Sequence, residues 1–110
     1  MNILQANVKN TDRWWQCELL QLEIIVEGET EQQMIEELEH RLKAEYVIAL
    51  RAGRTPFVDL YRERDAAKGA DWDNDHKKAR ALNLPEDVRK ALAGVTHMKR
   101  YAEIQVSIAA

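Results

Sequence analysis

Three stretches near the start of the chain alternate apolar and polar residues in steps of two, the period of a strand with one buried face. Leu4, Ala6 and Val8 mark the first. In the second, Trp15, Cys17 and Leu19 share one face while Trp14, Gln16 and Glu18 share the other, and in the third Leu22, Ile24 and Val26 alternate with Glu23, Ile25 and Glu27. Asn10-Thr11-Asp12 supplies turn chemistry between the first two runs, so they read as a hairpin, and three short antiparallel strands are expected.

Gly28 closes the third run, and the period then changes from two to 3.6. Thr30 is placed as a helix N-cap, its hydroxyl able to accept from the free N–H groups two or three residues on, and Gln33 stands at capping-box spacing. Met34, Ile35, Leu38, Leu42, Tyr46 and Ala49 fall in one stripe about 120° wide, the core-facing side of a helix packed on a sheet. Glu37 with Arg41 and Glu39 with Lys43 offer four-residue charge pairs on the solvated side. Val47 projects away from the stripe and Glu45 into it, so either the helix bends or Val47 meets a partner. Gly53 and then Pro56 stop the helix.

Residues 57–94 are less regular and read as an insertion or connection. Phe57 to Tyr61 suits a short strand, and Arg62 to Asp75 is charged, carries Gly69 and shows little apolar period, which makes it the expected mobile region. Pro85, Glu86 and Asp87 open a short helix whose apolar face is Val88, Ala91 and Leu92, ahead of Gly94. Ala102, Ile104, Val106 and Ile108 alternate with Glu103, Gln105 and Ser107, a strand that should join the sheet at its edge. The expected fold is therefore α+β, a single domain over 1–110. Three N-terminal strands and a C-terminal strand form an antiparallel sheet, one long helix packs on one face, and a short second helix follows.

Composition narrows the class. A chain of 110 residues with 45% hydrophobic and 32% charged residues can bury one core and is expected to fold. No apolar run approaches the ~20 residues of a membrane span. The first residues lack a basic cluster followed by a long apolar stretch, so no secretory leader is expected and the location is read as cytoplasmic. Cys17 is the sole cysteine, which excludes an internal disulfide and suits a core position. The net charge of −3 argues against a dedicated nucleic-acid binder and fits a basic protein partner.

Candidate chemistry is sparse. Asp71, Asp73, Asp75 and His76 echo a calcium loop, but that loop wants glycine sixth and glutamate twelfth, where His76 and Leu82 stand; loop polarity with an N-cap from Asp75 is the better reading. His40, His76 and His97 have no zinc spacing, and the only serine, Ser107, lies inside a strand. No catalytic residue, cofactor or metal ligand is assigned, and the chain is read as non-enzymatic. Trp14 on the outward face of its strand and Trp72 in a charged segment are candidate interface anchors, with Val47 and Val106 beside them. Val47, Trp14 and an apolar C-terminal edge strand together suggest a two-fold homodimer.

The stretch from Trp15 to Pro56 resembles the HicB-like antitoxin family. The similarity lies in the aromatic-led strand Trp15-Gln16-Cys17-Glu18 and the second strand closing on Glu27-Gly28-Glu29-Thr30. It continues through an acidic amphipathic helix bearing Glu36, Glu37, Leu38 and Leu42, then Ala52-Gly53 and Pro56. The resemblance implies a partial ribonuclease-H-like α/β sheet without that fold's catalytic carboxylates, which binds and blocks a small RNA-cleaving toxin. Leu20-Gln21 stands where the family has a proline-containing connection. Leu82 to Val88 looks like the strand-to-helix entry of a ribbon-helix-helix module, but the chain then returns to a strand where the second helix would be. A DNA-binding regulator built on that segment, and a carboxylate metal nuclease, are the alternative readings.

Overall fold

The computed structural model describes residues 3–74, 77–96 and 105–109. Its strands are β1 (Ile3–Thr11), β2 (Trp14–Leu19), β3 (Ile25–Gly28), β4 (Lys77–Ala81) and β5 (Gln105–Ala109). Its helices are α1 (Glu31–Arg51), α2 (Ala66–Asn74) and α3 (Glu86–Val95), with a 3-10 turn at Val58–Leu60. The strands form one sheet in the order β3-β2-β1-β5-β4. The fold is α+β, as the periodicities predict, and the long helix packs on the sheet.

The alternation sorts burial along the three N-terminal runs as expected, although the third strand starts at Ile25 and not at Leu22, which forms an isolated bridge with Tyr61. Leu4, Ala6, Val8, Cys17, Leu19, Leu22, Ile24 and Val26 are buried, and Val8, Cys17 and Val26 sit side by side across three strands. The β1–β2 connection is the two-residue turn Asp12-Arg13; Asp12 adopts φ 35°, the left-handed conformation that such hairpin turns require.

In α1 the Thr30 hydroxyl accepts from Gln33 N–H at 3.1 Å. The reciprocal half of the expected box is displaced by one residue, since Gln33 Oε1 accepts from Glu29 N–H. Met34, Ile35, Leu38, Leu42 and Ala49 are buried and Tyr46 packs against the same core. Arg41 pairs with Glu45 rather than Glu37, which explains how a carboxylate tolerates its place in the stripe. Glu39 accepts from the backbone N–H of Asn83 rather than meeting Lys43. At the C-terminus Gly53, φ 68°, donates to Leu50 C=O and Arg54 N–H reaches back to Ala49 C=O, the bond pair of a Schellman motif.

Four expectations are corrected. Phe57 to Tyr61 is not a strand: Phe57 is buried in the left-handed region, and its carbonyl accepts from Leu60 and Tyr61 to form the 3-10 turn. Most of the segment from 62 to 75 is not irregular, because Asp65 caps α2 by accepting from Lys68 N–H, which also holds its carboxyl below the usual range. Asp71 and Asp73 therefore lie on a helix, and the proposed cap at Asp75 lies outside the described residues. Pro85 is the N-cap of α3 rather than its first residue, and α3 runs through Gly94 to Val95. Finally, β5 is not an edge strand. It lies between β1, to which it is parallel, and β4, to which it is antiparallel, so the sheet is mixed and gains a fifth strand.

The missed strand β4 is held by charge. Arg80 stands beside Val106 and Leu4 in register, on the core face, and both Lys78 and Arg80 reach the Glu31 carboxylate in the first turn of α1. α3 packs along α1, with Val88 and Leu92 in the common core. α2 covers the opposite face over β1 and β5: Asn7 Nδ2 donates to Lys68 C=O, Lys68 pairs with Glu18, and Trp72 Nε1 donates to Ser107 C=O. Among the described residues no helix is long and apolar enough to cross a membrane.

Gly94 offers a test of α3. A Cβ there meets nothing within 4 Å, and the residue is helical. Gly94→Ala is expected to stabilise the protein by ~0.5–1 kcal/mol, through the lower entropy of the unfolded chain and better helix propensity. Thermal unfolding reads this directly, and a lowered midpoint would show that α3 is not helical at that position.

Candidate protein interface

With α1 and α3 on one face and α2 over β1 and β5 on the other, the outward face of β2 and β3 is left without a covering helix except at Glu18, which Lys68 of α2 reaches. Side chains on that face alternate with the buried ones: Trp14, Gln16 and Glu18 on β2, Ile25 and Glu27 on β3. Trp14 is 51% and Ile25 48% exposed, large apolar groups for a sheet surface. Gln16 Nε2 bonds Glu27 Oε1 across the strand pair. Trp14, Arg13, Glu29 and Thr30 line a depression at the start of β2. Glu23, Glu27 and Glu29 are exposed around β3, so that end of the face is acidic, while Lys9, opposite Gln16, and Arg13, beside Trp14, are exposed at its other end.

The four anchors expected from the sequence do not converge. Trp14 is exposed as expected, but Val47 projects from α1 on the other side of the sheet, 42% exposed. Trp72 is half-buried against β5, with the Arg64 guanidinium 5.8 Å from its ring centroid. Val106 is completely buried in the middle of the sheet, so it is a core residue and not an interface residue. The homodimer argument that used the C-terminal strand as an exposed edge loses that support.

A second apolar feature lies between the 3-10 turn and α3. Pro56, Val58, Tyr61, Ala91, Gly94 and Val95 line a groove of about 460 Å³, with Lys90 also in its wall. The outward side of Ile25 is legible from the alternation, but its place at the edge depends on the strand order.

No acid–base or metal constellation emerges among the described residues. No group of three or more His, Cys, Asp or Glu side chains gathers there. Glu18 is occupied by Lys68 at 2.9 Å, with Arg62 at 3.9 Å, and Asp73 pairs with Arg64. Cys17 is buried, and burial, reinforced by the neighbouring Glu18 charge, pushes its thiol up to about 12, so it is protonated at neutral pH. His40 is solvent-exposed on α1. No protein-family model, curated protein or solved structure matches the chain.

Proposed function

We propose that the chain is a non-catalytic protein-binding domain of the HicB-like antitoxin kind, which occludes a small basic RNA-cleaving toxin. The observation that carries this reading is the uncovered outer side of β2 and β3, acidic at β3, where Ile25 stands exposed among Glu23, Glu27 and Glu29 and Trp14 stands exposed at the other end beside Arg13. An exposed aliphatic anchor flanked by glutamates, with the Trp14 ring beside Arg13 at the far end of the same face, suits a partner that is basic where it meets β3. The net charge of −3 acts in the same direction. The order of the meander, the long acidic helix and the Gly53 stop supports the resemblance over Trp15 to Pro56.

The test is to purify the product of a short basic open reading frame adjacent to this gene and to measure RNA cleavage with and without the chain. Stoichiometric addition is expected to suppress cleavage at least tenfold, with a stable complex on gel filtration. Absence of such a neighbour, or undiminished cleavage, would overturn the antitoxin reading. Tight and sequence-selective retardation of its own promoter by the chain alone would replace it with the DNA-binding regulator.

A further inference from the structure

We propose that β3 is a docking strand, onto whose free edge an extended basic segment of the partner adds as a further strand of the sheet; this rests on the protein-binding reading above. The ladder fixes which groups are available. Leu19 N–H donates to Ile24 C=O at 3.1 Å, and the register pairs Cys17 with Val26 and Trp15 with Gly28. Alternate residues of an antiparallel strand turn both backbone groups to the same neighbour. Residues 24, 26 and 28 therefore face β2, while the N–H and C=O of Ile25 and Glu27 point away from the sheet. Two residues apart, they present the repeat to which an added strand bonds.

The two sheet edges are treated differently. β4 carries Lys78 and Arg80, basic residues of the kind that commonly guard an edge against further pairing. β3 has neither lysine nor proline and exposes Ile25 instead. Residues 23–31 hold Glu23, Glu27, Glu29 and Glu31 and no basic residue. The occupant that fits is an extended segment with lysine or arginine opposite the glutamates and an apolar side chain beside Ile25. The edge is open from Ile25 on, because Glu23 N–H already donates to Leu60 C=O and Leu22 bridges Tyr61; a second copy would bring the two glutamate-bearing edges together, so a basic segment is the favoured occupant.

The test uses the full chain, ¹⁵N-labelled, with a blocked ten-residue peptide alternating lysine and valine, and its glutamate–valine counterpart as control. Saturable binding of the basic peptide is expected, with amide shifts over 23–29 and slowed exchange at the Ile25 and Glu27 amides. Ile25→Pro deletes an outward-facing N–H and leaves the β2 ladder intact, so it should weaken binding at least tenfold while the unfolding midpoint shows a folded protein. Glu27→Lys should weaken it similarly and remove most of its salt dependence. Should Ile25→Pro not fold, Glu27→Lys and wild-type amide exchange decide. No saturable binding, full binding by folded Ile25→Pro, or shifts confined to the groove of Val58 and Val95 overturns the proposal. A concentration-dependent dimer lost in Ile25→Pro also overturns it, assigning the edge to self-association. A toxin that is inhibited while the β3 amides stay unchanged defeats the docking strand but leaves the protein-binding reading standing.

Discussion

Gly28→Ala is expected to destabilise the protein by ~2–4 kcal/mol, more than the ~1 kcal/mol lost when a helix N-cap is removed. A Cβ at position 28 would lie 2.5 Å from the Met34 nitrogen, 2.9 Å from the Gln33 carbonyl carbon and 3.0 Å from the Met34 Cα. All three are backbone atoms, and none can swing aside. They are fixed by the Thr30 cap on Gln33 N–H, by the bond from Met34 N–H to Thr30 C=O, and by the complete burial of the Met34 side chain. Relief requires the first turn of α1 to lift from the end of β3, which would uncover Met34 and disturb the contact of Glu31 with Lys78 and Arg80. Gly69 provides the contrast. A Cβ there meets the guanidinium of Arg64, the far end of a flexible side chain, so Gly69→Ala should cost only the Arg64 contacts with Gly69 C=O and Asp73, offset in part by better helix propensity. Urea unfolding of the two variants makes the comparison. A Gly28→Ala protein within about 0.5 kcal/mol of wild type would mean that strand and helix do not meet as closely as described.

Burial decides what can be read from the chain alone. The faces of β1 and β2, the apolar run from Leu22 to Val26 and the stripe of α1 each pack on one continuous core. Water exclusion therefore forces a period of two or 3.6 on the residues themselves. β4 escapes because its core-face positions, Lys78 and Arg80, are satisfied by a carboxylate, Glu31, that lies 47 and 49 positions earlier in the chain. No local pattern announces such a partner. With β4 unseen, β5 reads as an edge strand, and from that single error follows the misplacement of Val106 at an interface. α2 is rich in Ala, Asp and Gly and has little apolar face; its one local signal is Asp65 in N-cap position before Ala66-Ala67. Phe57 misleads in the opposite direction, since a large apolar residue favours a strand by propensity. Here the ring is buried while the backbone turns into the left-handed region, so burial is achieved by a reversal of the chain. The interface is legible only in part for a related reason. Exposure of Trp14 and of Ile25 follows from alternation, but the free edge of β3 follows from strand order, which is a property of the whole sheet.

Raising the pH above 9 is expected to weaken the protein through Cys17 by up to ~1.4 kcal/mol per pH unit, the free energy of one unit of differential proton affinity. The unfolded thiol ionises at its ordinary value of 9.0, whereas in the fold burial, and secondarily the charge of Glu18, hold it protonated up to about 12. Below pH 9 both states carry the proton and the contribution of Cys17 is constant. Between 9 and 12 the unfolded chain releases the proton and the native protein does not, so unfolding becomes more favourable with each step. Above 12 both are ionised and the loss, ~4 kcal/mol as an order of magnitude, is complete. Other groups ionise in alkali as well, so the informative quantity is a difference between proteins. Cys17→Val keeps an apolar side chain of similar size beside Val8 and Val26 and removes the ionisable group. Urea midpoints at pH 7, 9, 10 and 11 should fall more steeply for the wild type than for Cys17→Val, and a disulfide reagent at pH 8 should label the wild type only as fast as it unfolds. Parallel slopes for the two proteins, or rapid labelling of the native state, would place Cys17 at the surface and with it the central row of β1, β2 and β3, because Val8, Cys17 and Val26 share one register and one face.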